Sequence, residues 1–386
     1  MSRVGMGAVS WFLTGPSDVR LEELDFVFPE ELIAQRPVEP RDSCRLMHLT
    51  EDGKVRHRAF TDLPGLLRAG DTVVFNDSRV LPARVQAYKR TGGRVEVLFL
   101  RSCGEGGDLW EALARPSHRL KPGSPLILPG GETITLRSLL GEGRWLVEGP
   151  GDVSLVSLMD KHGMLPLPPY VKDYPADPES YQTVYAARLG SAAAPTAGLH
   201  FTPATLDVLK RRGIDAAYVT LHVGLDTFQP IREEVVEEHR IHRETYSVTA
   251  ENMALLRATR ARGGRLVAVG TTATRVLETL AGMGAFHDDA SGSIGGAKAS
   301  LDGDVGGDTE IFIIPGYRFR AVDVLLTNFH LPKSSVLALV MAFAGAARLR
   351  TSYEEAIALR YRFFSFGDAM LVEKHAEPAA PEEGRA

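Results

Sequence analysis

Between residues 72 and 148 the chain breaks into seven short β-rich runs, at 72–75, 80–88, 94–100, 110–114, 126–128, 133–136 and 145–148. Glycine-bearing turns separate many of them: Gly92-Gly93, Pro122-Gly123, Gly130-Gly131, and Gly141 with Gly143. Short strands punctuated this often predict a small antiparallel barrel. Downstream the period changes. Apolar strand runs at 216–221, 266–269 and 322–326 alternate with helical patterns at 203–212, 250–262, 273–281 and 335–347, which predicts an α/β layer. The expected fold is therefore α/β, a mixed sheet with flanking helices plus an inserted small antiparallel β-barrel domain. The expected limits are a flexible N-terminus at 1–20, a discontinuous α/β catalytic domain at 21–71 and 151–373, the barrel at 72–150 and a disordered tail at 374–386. Leu165-Pro-Leu-Pro-Pro-Tyr170 reads as a stiff connector, and the Gly-, Ser- and Asp-rich stretch 286–307 as a flexible surface loop.

A chain of 386 residues can bury a sizeable core in two domains, and 44% hydrophobic with 24% charged residues fits an ordinary soluble protein. The net charge of −5 advertises no global basic field for nucleic acid, although a local basic face suffices to bind RNA. Cys44 and Cys103 form neither a disulfide framework nor a zinc spacing, so the natural setting is a reducing cytoplasm. The first fifteen residues lack a convincing cleavage site, and the apolar run 336–347 is too short for a membrane span and reads as a buried helix.

The least ordinary stretch is Gly190-Ser-Ala-Ala-Ala-Pro-Thr-Ala-Gly-Leu-His-Phe-Thr202. It is uncharged, built of small side chains and broken by Pro195 and Gly198, so neither a regular helix nor a central strand is expected. Thr202 suits an N-cap, Pro203 the first helical position and Gly213 the helix end. Such a loop suits close backbone approach to a polar ligand with His200 at the mouth, and it equally suits a tight buried connection.

Several strand runs end in polar residues: 216–221 runs into His222, 266–269 into Gly270-Thr-Thr-Ala-Thr-Arg275, and 322–326 into Thr327-Asn-Phe-His-Leu-Pro-Lys-Ser334. In open α/β sheets ligands sit outside the carboxyl ends of strands, so these tips suggest a shared site, while each alone also reads as helix capping. In Glu237-Glu-His-Arg-Ile-His-Arg-Glu-Thr-Tyr246, His239 and His242 share a face if helical. No His-Glu-x-x-His motif is present and no metal is expected. A short helix at 30–35 should stop at Pro37, with Arg36, Arg41 and Arg45 clustered nearby. Arg79, Arg84, Arg115, His118, Arg119 and Lys121 form a further basic set, readable as an RNA face or as solvated loops. A Walker loop, a Gly-x-Ser-x-Gly elbow and a dinucleotide fingerprint are all absent.

Ordered blocks from residue 24 to 372 make the chain similar to the S-adenosylmethionine:tRNA ribosyltransferase-isomerase family. They include Val-Val-Phe-Asn-Asp-Ser-Arg79, Leu-Pro-Leu-Pro-Pro-Tyr170, Tyr-Gln-Thr-Val-Tyr185, the 190–202 loop, 238–246, 270–278, 325–334 and Tyr361-Arg-Phe-Phe-Ser-Phe-Gly-Asp-Ala-Met370. Cys44 stands where the family often has serine, and Val276 where it often has threonine. The resemblance implies S-adenosyl-L-methionine as co-substrate, no metal, and tRNA bearing preQ1 at the wobble position as acceptor. The implied products are epoxyqueuosine-tRNA, adenine and methionine. A monomer acting away from membranes is expected.

With that resemblance, the acid/base candidates are His200, His222, His239 and His330, oriented by Glu238 and Glu244. Ser191, Thr196, Gly198, Thr271, Thr272, Arg275, Asn328 and Lys333 are the expected co-substrate contacts. Arg41, Arg45, Asn76, Asp77, Arg79, Arg84 and Arg119 are the expected tRNA contacts. Two other readings stay open: a non-catalytic RNA-binding module, and an S-adenosylmethionine-dependent nucleosidase or methyltransferase.

Overall fold

The structure is a computed structural model that describes residues 18–103, 108–141, 143–172, 177–224, 230–241, 243–286 and 303–374. Nine strands form one mixed sheet. Their order is Val305–Thr309, Glu244–Val248, Asp215–Leu221, Thr72–Asn76, Leu266–Val269, Val324–Asn328, Ala369–Glu373, Arg45–Leu49 and Val55–Ala59. The third to sixth run parallel to one another. Helices cover both faces of a parallel sheet, so its strands read as continuous apolar runs, as in Leu266-Val-Ala-Val269, where every residue is buried. Because these four strands are parallel, their carboxyl ends at Leu221, Asn76, Val269 and Asn328 meet at one edge.

The second sheet closes on itself. Arg84–Tyr88, Arg94–Ser102, Leu109–Arg115, Arg144–Glu148, Thr133–Gly141 and Ser124–Ile127 pair in turn, and Tyr88 against Ile127 completes a six-stranded antiparallel barrel. Alternation puts Val95, Val97, Trp110, Ile134 and Trp145 inside. Helix Leu155–His162, N-capped by Ser154 accepting from the Ser157 N–H, presents Leu155, Leu158 and Met159 to that interior.

Several expectations are corrected. The run at 72–75, grouped with the barrel by its texture, is instead a central strand of the large sheet, between Asp215–Leu221 and Leu266–Val269. The run 80–88 is broken, with Ser78–Val80 pairing Arg188–Ser191 and Arg84–Tyr88 joining the barrel. The 190–202 loop is thus partly regular, since Arg188–Ser191 is a strand and Thr196–His200 a 3-10 helix. The helix expected at 30–35 is a 3-10 turn at Glu30–Leu32. The apolar helix 335–347 divides at Gly345, whose φ of 86° disfavours a side chain, into Ser335–Ala344 and Ala346–Ala358 at an angle of 111°.

Part of the 286–307 loop is the edge strand Val305–Thr309, while 287–302 lie outside the described residues, as do 1–17 and 375–386. Among the described residues no single helix is long and apolar enough to cross a membrane.

Candidate active site

The helix Gly270–Gly282 follows directly on strand Leu266–Val269, and its N-cap, Val269, offers no side-chain acceptor. The first-turn N–H groups therefore face the strand-end edge without a side-chain cap, carrying the positive end of the helix dipole. Beside them strand Val324–Asn328 ends in Phe329-His330, and residues 193–197 of the small-residue loop close over both. The result is a cleft of about 700 Å³, open mouth included. Thr196, Thr271, Thr272, Asn328 and His330 line it, together with Tyr170, Phe329, Phe364, Ser334 and Ser365.

His330 is half-buried; its Nε2 meets Thr327 Oγ1 at 2.7 Å and its backbone N–H donates to Tyr353 Oη at 2.9 Å. Burial lowers its pKa to about 4, so the ring is neutral near pH 7 and can accept a proton. Tyr170 Oη and Ser365 Oγ lie 2.7 Å apart, and burial raises the Tyr170 phenol to about 12. It remains a neutral hydroxyl.

His200 is not on the cleft lining. It sits 4% exposed behind Asn328, its Nε2 3.1 Å from Asn328 Nδ2 and its Nδ1 3.2 Å from Cys44 Sγ. Asn328 Nδ2 also donates to the Phe364 carbonyl at 3.1 Å, which assigns that atom as the amide nitrogen. His200 Nε2 is then the acceptor and Nδ1–H points to the Cys44 sulfur, so the imidazole anchors Asn328 rather than facing the cleft. Burial of the Cys44 thiol pushes its pKa up, which keeps it protonated and unreactive. Desolvation, aided by the charges of Arg362 and Arg41, lowers His200 to about 4. Because the folded state prefers neutral His200, the unfolded chain binds the extra proton between pH 4 and 6.5. The stabilisation present above pH 6.5 is then lost as pH falls toward 4, up to about 3 kcal/mol. Urea midpoints at pH 7.5 and 4.5 are expected to differ less in His200→Gln than in the parent chain; equal differences would remove this assignment.

The remaining candidates lie elsewhere. His222 packs against Gly190, where an added Cβ would stand 2.6 Å from the ring. Burial lowers its pKa, and the Asp77 charge opposes the shift. Asp77, raised by desolvation, accepts from Thr220 Oγ1 at 2.7 Å. His239 pairs with Glu233 at 2.8 Å on a non-helical segment, and His242 lies outside the described residues. Glu238 is exposed and lines no part of the cleft. Ser191 Oγ is held between the Ala193 carbonyl at 2.7 Å and the Val223 N–H at 3.0 Å. Gly198 is a packing requirement, since a Cβ would fall 1.9 Å from Tyr185 Oη. Lys333 reaches away to Asp25 at 2.8 Å. Glu244 and Arg275 form a buried ion pair in a recess adjoining Thr271 and Thr272.

Of the expected tRNA contacts, Arg45 is tied to Asp368, and Arg41 to the Gln182 and Glu179 carbonyls. Arg79 pairs with Glu179, and Arg84 faces Glu96 at 3.6 Å. Asn76 is fully buried and bonds Leu221 through both its N–H and its carbonyl. Arg119 stands exposed on a barrel turn with φ 71°.

Sequence reasoning named no role for Tyr170, Phe364 or Ser365. Their signal was the pair of blocks around 165–170 and 361–370, which the fold joins at the cleft. Among the described residues no group of three or more His, Cys, Asp or Glu could hold a metal ion.

A strand-end cleft with hydroxyl lining and a half-buried histidine, set in an α/β layer with an inserted barrel, has the form of the polar-ligand sites of α/β enzymes. The chain belongs to the queuosine biosynthesis protein family, whose model matches residues 21–372. It is similar to the S-adenosylmethionine:tRNA ribosyltransferase-isomerase of Rubrobacter xylanophilus, 49% identical over 92% of this chain and 98% of that one. The Moorella thermoacetica protein of the same name is 47% identical over 92% of this chain and all of its own length. A solved structure, the S-adenosylmethionine tRNA ribosyltransferase of Thermotoga maritima, is 36% identical with a TM-score of 0.51, covering 91% of this chain and 99% of that one. The chain is an enzyme of this transferase-isomerase class.

Proposed function

We propose that this chain transfers the ribosyl group of S-adenosylmethionine to preQ1 at the wobble position of tRNA, giving epoxyqueuosine-tRNA, adenine and methionine. The observation that carries the reading is one cleft bringing together Thr196, Thr271, Thr272, Asn328 and His330. Hydroxyls suit a ribose, and the unpartnered Thr272 Oγ1 leaves one donor-acceptor for a ligand. The Tyr170 and Phe364 rings, packed on each other with centroids 4.9 Å apart, give the cleft an aromatic wall.

In this reading the sulfonium acidifies the adjacent C5′–H and neutral His330 accepts that proton. Adenine departs with the glycosidic electron pair and takes up the proton that His330 received, and the neutral amine of preQ1 bonds to the sugar and gives up a proton in turn. The skeleton recloses as an epoxycyclopentane and the sulfur leaves as methionine. Positioning in a near-attack geometry supplies roughly 7–11 kcal/mol toward such a barrier. The barrel turn that carries exposed Arg115 and Arg119 meets tRNA phosphates, and the anticodon loop opens to deliver the base.

Mass analysis of preQ1-tRNA after incubation with the chain and S-adenosylmethionine tests this. The expected result is epoxyqueuosine-tRNA with free adenine and methionine. Unmodified tRNA, or S-adenosylhomocysteine in place of methionine, would overturn it.

A further inference from the structure

Adjoining the cleft is a second, shallow recess of about 380 Å³, open mouth included, that shares Thr271, Thr272 and Val336 with it. Its walls are aliphatic and aromatic: Ile241, Ile311, Phe312 and Leu339. Its polar end carries the Glu244–Arg275 pair, with side chains only 2% and 9% exposed. Arg275 follows Thr271 by four residues on helix Gly270–Gly282, so both stand on one helix face. Its Nη1 meets Glu244 and its Nε donates to the Ile311 carbonyl at 3.2 Å. Its Nη2 is buried with no partner among the described residues, and Thr272 Oγ1 is likewise without one. A buried guanidinium N–H left unpaired is costly, which is why such groups in folded proteins are ordinarily satisfied.

We infer that this recess is the subsite for an α-amino-acid zwitterion with an unbranched apolar side chain, the methionyl arm of the sulfonium substrate. This rests on the reading of the cleft given above. The carboxylate takes Arg275 Nη2, the Thr272 hydroxyl and the uncapped first-turn N–H groups of the helix, three donors of one polarity. The ammonium faces the Glu244 carboxylate. The aliphatic wall takes the methylenes, and the sulfur lies at the threshold formed by Thr271 and Thr272, where the two cavities join. The buried pair is electroneutral, and so is its guest, so neither enters with an uncompensated charge.

The inference is tested first by binding. Calorimetric titration of the full chain with L-methionine is expected to show binding, and L-methioninol, which lacks the carboxylate, to bind at least about 10-fold more weakly. Equal affinity for the two overturns the inference whatever becomes of ribosyl transfer. The second arm is kinetic. Decarboxylated S-adenosylmethionine is expected to lose on the order of 100-fold in kcat/KM for adenine release, mainly through KM. Thr272→Val, which leaves the ion pair intact, is expected to narrow that gap, as is Arg275→Lys. A decarboxylated co-substrate used within twofold of the parent one overturns the subsite. Absent adenine release alongside retained L-methionine selectivity overturns only the reaction.

Discussion

His330→Ala is expected to lower adenine release from S-adenosylmethionine by about 10²- to 10⁴-fold, the usual contribution of a positioned general base. Among the four histidines singled out in the sequence, His330 alone lines the strand-end cleft. His200 has both ring nitrogens engaged with Asn328 and Cys44, and His239 is held by Glu233. The fold should survive, because the bond that ties this segment to Tyr353 comes from the His330 backbone N–H. A rate within threefold of the parent chain would remove His330 from the chemistry.

The pH profile offers an independent check. A base acts in its neutral form, and burial holds His330 at about 4. Activity should therefore stay level from pH 8 down to about 5 and fall only as pH approaches 4. An ordinary imidazole would be half-protonated near pH 6.5. A rate that halves near pH 6.5 would place the working base elsewhere.

Glu278→Ala should cost about 3–5 kcal/mol of stability, enough to lower Tm by roughly 10 °C. Glu278 is fully buried on the helix that opens the cleft. Its carboxylate accepts from Tyr317 Oη at 3.0 Å and from the N–H groups of Arg320, Ala321 and Val322 at 2.9, 3.0 and 3.0 Å. Removing it strands buried backbone donors at about 1–3 kcal/mol each, and partial relaxation keeps the total below the sum. Those donors lead into strand Val324–Asn328, so the same carboxylate ties the helix to the strand that carries Asn328. Glu278→Gln, which retains one carbonyl oxygen, should fall between. Calorimetric melting checks the pair, and a Tm within 2 °C of the parent for the alanine variant would show that the network contributes little.

Much of the architecture was legible because local periodicity carries it. Runs such as Leu266–Val269 and the Thr202-Pro203 helix start declare themselves through apolar continuity and capping chemistry. The barrel strands declare themselves through alternation and glycine turns. The strand Glu244–Val248 and the edge strand beside it, Val305–Thr309, did not. The second is rich in glycine and aspartate, and it is a strand only because Glu244–Val248 supplies a ladder from sixty residues away. Thr72–Asn76 shows the converse, a strand recognised as such and assigned to the wrong sheet, since two faces of helix cover are invisible in five residues.

By itself, then, the sequence determined most of the central strands and helices, where small residues are obligatory, and which family the blocks resemble. It could not say which polar tips meet. Parallel pairing of four strands brings Thr271, Thr272, Asn328 and His330 to one edge, while it turns His200 inward and leaves Glu238 outside. A side chain's chemistry is local, but its direction is set by strand order and register, and those are decided only when distant segments bury one another.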